Sequence, residues 1–388
     1  MVRFVTIEVI KMRIKAVFAK KIWTGASEFV EDGMILIEDG KISYVGPRKS
    51  LGSDVGIIDA KDSFVTPGFI DAHSHIGLIP EGLDWEYSDV NDYTGPITPQ
   101  MRAIDAIHFH DIAFKNAISG GVTTVYTGPG SANVVGGIGL ITKTSGEIIR
   151  EEAALKMALG PKRDRGVKSK EPYPTTRMGT VALLRNLFIN VKKWMNRELE
   201  IDDEKKYQYE IVAKVLKGEM PAKIHLSTSP DEIRAVLALI KEFNINASID
   251  HVFGGDLLAD EIAEAGIPVV YGPPMIAKLY SAFKYVNDKI PVVLANRGVL
   301  VAIMTDHPVI PQKHLRFLAS VVVRNGLDYN EALKMITINP AKILEIDERV
   351  GTLEVGKDAD IVISSDHPLK VTSVIERVLI NGEIVFEH

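Results

Sequence analysis

The chain has 388 residues, of which 46% are apolar and 25% are charged, and its formal net charge at neutral pH is −6. This length and composition predict a globular protein with a large core and exclude a collagen-like or wholly disordered chain. The acidic balance argues against a nucleic-acid partner, and no apolar run approaches the roughly 20 residues of a membrane helix. Since the first residues also lack the features of a signal peptide, we expect a cytoplasmic protein without a membrane partner.

The chain contains no cysteine and only three glutamines, Gln100, Gln208 and Gln312. Without thiolates, a bound metal must be held by histidine, carboxylate or a modified lysine. The scarcity of cysteine and glutamine beside abundant lysine, glutamate and isoleucine favours a thermophilic source. A melting temperature in the ordinary mesophile range would contradict that expectation.

Two kinds of periodicity divide the chain. Residues 13–63 alternate short apolar runs with turns, and short runs return after Ile343, which predicts a small β-domain built from residues 13–63 and 343–388. Between them, residues 64–342 alternate apolar runs with segments of helical period, which predicts parallel strands closed into a barrel. The eight predicted barrel strands are 69–78, 121–128, 137–144, 153–160, 222–228, 246–253, 267–273 and 299–307.

Helical segments are predicted between these strands, at 99–119, 231–243, 256–265 and 330–336. Thr176 is placed to cap a helix that runs to Met195, and Asp202 or Asp203 to start another that ends near Gly218. The polar, cationic segment 160–176 follows the fourth predicted barrel strand. It is either a lid or substrate-binding loop, or a solvated loop without a role, and the sequence leaves both open.

Five residues at the ends of predicted barrel strands are candidate metal ligands. His73 and His75 lie two apart in PGFIDAHSHIGL, so their side chains leave the same face of a strand. His225, His251 and Asp306 follow three other apolar runs. A single strand histidine is usually structural, but the carboxyl ends of barrel strands meet at one face, where active sites of this fold lie. The pattern therefore predicts one metal-binding site.

The segment FVTPGFIDAHSHIGL resembles the opening barrel signature of the amidohydrolase superfamily, and GTLEVGKDADIVI is similar to its closing segment. The nearest branch is the one related to imidazolonepropionase, which includes prolidase-like dipeptidases. The resemblance implies an α/β fold, a (β/α)8 TIM barrel with a small β-sandwich formed by both chain termini. It also implies that His73 and His75 bind one metal, that His225 and His251 bind or face a second, and that Asp306 is ligand and general base.

Many two-metal members of this superfamily carry a carboxylated lysine on the fourth barrel strand, where its carbamate bridges the metals. Lys156, in ALKMALG, is our first candidate, because burial favours the neutral amine that reacts with carbon dioxide. Lys143, on the third strand, is the alternative. A third interpretation is that both lysines are structural and extend their ammonium groups to solvent.

Candidates for substrate binding are fewer and weaker. Arg177, Lys162 and Arg163 follow the fourth strand and are suited to a substrate carboxylate, since arginine binds carboxylates through two parallel hydrogen bonds. Tyr126 ends a strand and can donate to a substrate oxygen, although core packing is the usual role of such a residue. A helix-capping or surface role for Arg177 stays open.

The chemistry expected of this site is hydrolysis of a carbon–nitrogen bond by metal-activated water. Our first hypothesis is an amide or peptide-like substrate, a dipeptide or N-acyl amino acid, with one or two divalent metal ions. Zinc is the first choice, and iron, manganese, cobalt and nickel are the alternatives. The second hypothesis is a mononuclear cyclic-amide hydrolase or deaminase, and the third is a metal-free structural homologue. The sequence leaves the oligomeric state open, a homo-oligomer included.

Overall fold

The structure is a computed structural model that describes residues 14–26, 29–83, 85–159, 173–226, 229–278 and 283–388. Its strands form two sheets of eight. In chain order they are β1 (Ile14–Ile22), β2 (Val30–Glu38), β3 (Lys41–Pro47), β4 (Gly56–Asp59), β5 (Phe64–Pro67), β6 (Phe69–Ser74), β7 (Val122–Thr127), β8 (Val135–Lys143), β9 (Ile148–Ala158), β10 (Ala222–Leu226), β11 (Ala247–His251), β12 (Val269–Tyr271), β13 (Val301–Ile303), β14 (Ile361–Ser364), β15 (Ile375–Ile380) and β16 (Glu383–Glu387).

The helices lie mainly between the barrel strands and after the last of them. They are α1 (Ile112–Ser119), α2 (Arg177–Met195), α3 (Asp203–Leu216), α4 (Pro230–Phe243), α5 (Ala259–Ala265), α6 (Ile290–Ala295), α7 (Leu315–Arg324), α8 (Tyr329–Lys334) and α9 (Ile338–Ile343). Within the described residues, no helix combines the length and the apolar character that crossing a membrane requires.

Both chain termini contribute to the first sheet. Its order is β16-β15-β14-β5-β1-β2-β3, with β4 paired to β1. The apolar side chains of β1 and β2 pack against those of β5, β14 and β15, and Val17, Ile35, Val65, Ile361 and Leu379 belong to this core. The prediction of a small β-domain assembled from both ends is therefore confirmed, whereas its limits at 13–63 and 343–388 stay a prediction.

The second sheet is the barrel, with β6 to β13 side by side in chain order. All eight predicted barrel strands are present. Seven share one direction, but β8 runs antiparallel to both β7 and β9, so the expectation of parallel strands throughout is wrong for β8. The connections explain this difference. A parallel crossover needs a dozen or more residues, whereas residues 128–134 and 144–147 leave room only for hairpins.

The first and last barrel strands meet without a regular ladder. The backbone that follows α8 fills the seam, since Ile303 N donates to Met335 O over 3.0 Å and Ile70 N donates to Ile336 O over 2.8 Å. Nearer the carboxyl ends of the strands, the hydroxyl of Thr305 donates to Asp71 Oδ2 over 2.5 Å. These contacts complete the barrel and fix β6 and β13, which carry or precede three of the candidate ligands.

Two helix starts follow the predicted capping pattern. Thr176 Oγ1 accepts a hydrogen bond from Gly179 N over 3.0 Å, and Asp202 Oδ1 accepts one from Lys205 N over 2.9 Å. These caps satisfy backbone groups that lack a partner in the first turn of a helix. They confirm the predicted starts of α2 and α3.

The helix predicted over 99–119 is shorter than expected. Only α1 is α-helical, with a turn of 3₁₀ helix at Ala103–Asp105 before it. The backbone of the earlier part bonds to β8 instead, with Thr98 N donating to Val135 O and Ile138 N donating to Met101 O. Pairing with the barrel therefore replaces the hydrogen bonds that a helix would make.

Candidate metal centre

His73 and His75 face the same side of the first barrel strand. His73 lies in β6 and is fully buried, whereas His75 follows the strand and is partly exposed. Their ring centroids are 5.4 Å apart, and the Nε2 atom of each lies 3.4 Å from Asp306 Oδ1. Alternation along the strand therefore brings two imidazoles to one carboxylate that comes from the opposite end of the barrel sequence.

The other two histidines complete the cluster from β10 and β11. The ring centroids of His225 and His251 are 4.1 Å apart, and those of His73 and His251 are 5.2 Å apart. The potential ligand atoms of His73, His225 and His251 all lie within 4.8 Å of one another, and the same holds for His73, His75 and Asp306. The two sets share His73, so the site contains two overlapping groups of residues that could hold a metal ion.

Backbone carbonyls orient two of these rings. His75 Nδ1 donates to Gly128 O over 2.7 Å, and His251 Nδ1 donates to Gly272 O over 2.8 Å. A Cβ atom at Gly272 would lie 2.6 Å from Met304 O, so the close approach of this backbone requires glycine. In both histidines Nε2 is left to face the cluster, and His251 Nε2 is a buried atom without a hydrogen-bond partner among the described residues.

Two of the ligand candidates have an unusual backbone. His251 has a φ of +70° and Asp306 a φ of +52°, in the left-handed region that non-glycine residues rarely occupy. Such a conformation costs on the order of 1–3 kcal/mol and persists where the surrounding structure and function require it. It turns each side chain inward as its strand ends.

The charge states of the cluster suit a cation. Burial alone would raise the pKa of Asp306, but His251, His73 and His75 outweigh it and hold that pKa well below its usual range. Burial lowers the pKa of His251 to about 4 and also lowers that of His75. An ionised carboxylate beside neutral imidazoles is the donor set that zinc and related divalent metals bind. The residues present therefore fit a divalent metal.

Lys156 joins the cluster from β9. Its side chain is buried, and its Nζ lies 3.2 Å from His73 Nε2. Burial lowers the pKa of Lys156 to about 8 from an ordinary value of 10.5, so the neutral amine is more favoured here than in a solvent-exposed lysine. The structure thus brings our first candidate for the bridging lysine to the ligand atoms.

Lys143 takes a different position. Its ammonium lies 3.0 Å from Asp358 Oδ2 and 2.5 Å from Asp360 Oδ2, two carboxylates that precede β14 of the small domain. The lysine is fully buried in this ion-pair cluster. It therefore joins the barrel to the small domain, and the structure does not bring it to the histidines.

The proposed substrate-binding residues are not brought together. Arg177 begins α2, where Nη1 donates to Ser229 Oγ over 2.9 Å and lies 3.7 Å from Asp231. Tyr126 is 1% exposed and packs in the barrel interior, and its hydroxyl has no hydrogen-bond partner within the described ranges. Lys162 and Arg163 lie outside the described residues. All four assignments stay predictions.

Two buried carboxylates near the site were missed by the sequence analysis. Asp250 Oδ2 accepts a hydrogen bond from His73 Nδ1 over 2.7 Å, and Asp250 Oδ1 lies 3.1 Å from Lys223 Nζ. Burial alone would raise the pKa of Asp250, but Lys223 and His73 reverse the shift and lower it. The sequence feature that could have identified Asp250 is its position directly before His251, a candidate ligand, within an apolar strand.

Asp71 is the second missed carboxylate. It accepts hydrogen bonds from His73 N over 3.2 Å and from Gln312 Nε2 over 3.2 Å, in addition to that from Thr305. Burial raises the pKa of Asp71 to about 6. This carboxylate links the segments that carry His73 and Asp306, so it helps to align ligands from both sides of the barrel seam.

Comparison with known proteins agrees with this geometry. The model of the family described as "Amidohydrolase family" matches residues 64–385. The chain is 28% identical over 404 residues to amidohydrolase tasK of Hapsidospora irregularis, covering 94% of this chain but only 40% of tasK. It is 23% identical over 356 residues to an imidazolonepropionase of Picrophilus torridus, covering 87% of each chain. The solved structure of an amidohydrolase from Thermotoga maritima MSB8 is 35% identical, with a TM-score of 0.89, and the match covers 96% of this chain and 100% of that one.

Proposed function

The chain belongs to the amidohydrolase family and is a hydrolase of carbon–nitrogen bonds. We propose that it falls in the imidazolonepropionase-related and prolidase-like branch of that family and that it cleaves an amide or peptide-like bond. The substrate class is a dipeptide or an N-acyl amino acid. The observation that carries this proposal is the position of Lys156. Its Nζ lies 3.2 Å from Nε2 of His73, the residue that belongs to both sets of candidate metal ligands.

The ligand residues have distinct roles in this proposal. His73, His75 and Asp306 would hold one divalent ion, and His225 and His251 would hold the second. Bound divalent metal lowers the pKa of water toward neutrality and polarises the substrate oxygen. Asp306 accepts a proton from the attacking water and transfers it to the leaving nitrogen, as a general base and then a general acid.

Lys156, as a carbamate, would supply the bridging carboxylate. Its neutral amine nitrogen would form a bond to the carbon of carbon dioxide as one carbon–oxygen π bond opens onto oxygen, and the proton lost from nitrogen would pass to solvent. Burial supports this step, because it favours the neutral amine over the ammonium. The resulting carboxylate would lie among the histidine ligands.

We expect protein loaded with zinc and carbon-13-labelled bicarbonate to show a carbamate resonance in its carbon-13 NMR spectrum. Lys156→Gln is expected to abolish that resonance and to lower metal content toward one equivalent. Lys49→Gln, at an exposed site in the small domain, serves as the matched control and is expected to retain both. An unmodified Lys156 in the metal-loaded wild-type protein would contradict the bridging role.

Cationic side chains are proposed to bind the carboxylate of the substrate. Arg177 is exposed, and its contacts with Ser229 and Asp231 hold its guanidinium next to the start of α4, the helix that follows the strand of His225. Lys162 and Arg163 are proposed for the same role from their position in the sequence. Tyr126 is retained as a candidate donor to a substrate oxygen.

A mononuclear cyclic-amide hydrolase or deaminase is the second candidate function. The similarity to an imidazolonepropionase over 87% of each chain favours it. The two candidates differ in metal content, because a site with one metal needs no carbamate bridge. A metal-free structural homologue, the third hypothesis, is disfavoured by the complete ligand set.

We expect elemental analysis after expression with added metal and bicarbonate to find about two divalent-metal equivalents per chain, as in two-metal hydrolases. One equivalent would favour the cyclic-amide or deaminase alternative, and the absence of bound metal after reconstitution would contradict metal dependence.

We propose zinc as the metal. A cytoplasmic location and a thermophilic source are proposals that rest on composition alone.

A further inference from the structure

A continuous chain of buried polar groups extends from the interior of the barrel to a metal-ligand candidate. Lys223 lies in β10, in register with Lys156 on one side and Ser248 on the other. Its Nζ is 3.1 Å from Asp250 Oδ1 and 3.3 Å from Ser248 Oγ. Asp250 Oδ2 in turn accepts the hydrogen bond from His73 Nδ1 over 2.7 Å.

Lys223, Asp250 and His73, the ionisable residues of this series of hydrogen-bonded groups, are all buried away from water. The side chain of Lys223 is 3% exposed and those of Asp250 and His73 are 0% exposed. Burying an ion pair in an apolar barrel is costly, and apolar side chains of similar volume often stabilise a protein as well or better. Lys223 therefore calls for an explanation other than packing, although its Nζ also lies 5.1 Å from the ring centroid of Tyr126.

The position of Asp250 supplies that explanation. When His73 donates its Nδ1 proton to Asp250, Nε2 keeps its lone pair and faces Asp306 and Lys156, which lie 3.4 and 3.2 Å away. Histidines that bind metals commonly donate their other ring nitrogen to a carboxylate, which fixes the ring. Asp250 can hold one orientation because both oxygens have partners: Oδ2 accepts from His73, and Oδ1 accepts from Lys223 and, over 3.2 Å, from the hydroxyl of Ser248.

We propose that Lys223 is a positioning residue that acts through Asp250 to hold the His73 imidazole in the tautomer and orientation that bind metal through Nε2. Lys223 itself touches neither metal nor substrate. In the proposed function His73 is a ligand of the first ion together with His75 and Asp306, so the effect falls on that metal position. This inference rests on the metal binding of the proposed function and adds a residue that the ligand set alone does not identify.

The test measures metal binding directly. Apo protein prepared with a chelator is titrated with Zn²⁺ in competition with a chromophoric chelator, and the visible spectrum of the Co²⁺ form is recorded. Lys223→Met is expected to weaken Zn²⁺ binding about 10–100-fold, the usual effect of losing a residue that orients a ligand, and to alter the Co²⁺ spectrum. Lys223→Gln keeps a donor to Asp250 in the same space and is therefore expected to retain most of the wild-type Zn²⁺ affinity and the wild-type Co²⁺ spectrum.

Lys143→Met is the matched control. Lys143 is also a buried lysine paired with two carboxylates, but its partners Asp358 and Asp360 lie away from the ligands. We expect this control to lower the melting temperature of the apo protein and to leave Zn²⁺ affinity and the Co²⁺ spectrum unchanged. Measuring Zn²⁺ binding at a temperature where both variants remain folded separates metal affinity from stability.

The link through Asp250 is tested by a double-mutant cycle. If Lys223 acts through that carboxylate, Asp250→Asn alone weakens Zn²⁺ binding, and adding Lys223→Met weakens it little further. Wild-type affinity and an unchanged Co²⁺ spectrum in Lys223→Met would overturn the inference while leaving the proposed function intact. If the wild-type protein itself bound no Zn²⁺, the proposed function would fail and this inference with it.

Discussion

Asp306→Asn is expected to preserve the fold and lower kcat by about 10²–10⁴-fold, the usual contribution of a positioned general base. The amide is similar in size to the carboxylate, but it cannot accept the proton of the attacking water. In the wild-type protein, neighbouring histidines hold the pKa of Asp306 well below its usual range despite burial, so the residue is an ionised carboxylate at neutral pH. The measurement is turnover of the best substrate found among dipeptides and N-acyl amino acids.

Metal content must be measured in the same samples, because Asp306 is both ligand and base. Its Oδ1 lies 3.4 Å from both His73 Nε2 and His75 Nε2. We expect the variant to retain zinc at saturating concentrations and still to show the lowered kcat. Asp62→Asn, at an exposed position in the small domain, is the matched control and should match the wild-type rate. Near wild-type kcat in metal-loaded Asp306→Asn would refute the assigned base role.

The meeting of the candidate ligands was predictable from the sequence because strand geometry determines it. Alternation places His73 and His75 on one face of a strand, and parallel strands bring His225, His251 and Asp306 to the same end of the barrel. The burial of Lys156 followed from its position within an apolar strand. Each of these inferences needs only local periodicity and the rule that strand ends meet.

The residues that were missed depend on pairing between distant strands. Whether Asp250 meets His73 or Asp71 meets Thr305 is decided by the closure of the barrel, and no local pattern encodes either contact. The direction of β8 was missed for a related reason. Its apolar run has the same appearance in either direction, and only the short connections at its ends reveal a hairpin.

The role of Lys143 was likewise not predictable from the sequence. A buried lysine in an apolar strand is a candidate for carboxylation or for an ion pair, and only its neighbours decide between these roles. Here the neighbours are Asp358 and Asp360 from the closing segment of the small domain, more than two hundred residues away in the chain. Lys156 is also a buried lysine in an apolar strand, but its Nζ lies 3.2 Å from a histidine, His73, instead.

We expect Lys143→Met to destabilise the fold by about 3–5 kcal/mol, as when one partner of a buried ion pair is removed. The substitution leaves two buried carboxylates with fewer partners. Asp358 retains Arg349, whose Nη2 lies 2.7 Å away, whereas Asp360 retains the backbone amide of Asn381 at 3.0 Å. The measurement is the free energy of unfolding from urea denaturation of the apo protein, with Lys20→Met, at an exposed ion pair, as the control.

Combining Lys143→Met with a substitution of Asp360 tests this prediction more directly. Asp360 loses its cation in Lys143→Met, so adding Asp360→Asn removes an uncompensated buried charge and should recover part of the lost stability. In the wild-type background, the same Asp360→Asn substitution should destabilise, because it removes an ion-pair partner from Lys143. Opposite signs in the two backgrounds would show that the barrel and the small domain are joined by this charge pairing, whereas equal effects would show that packing alone joins them.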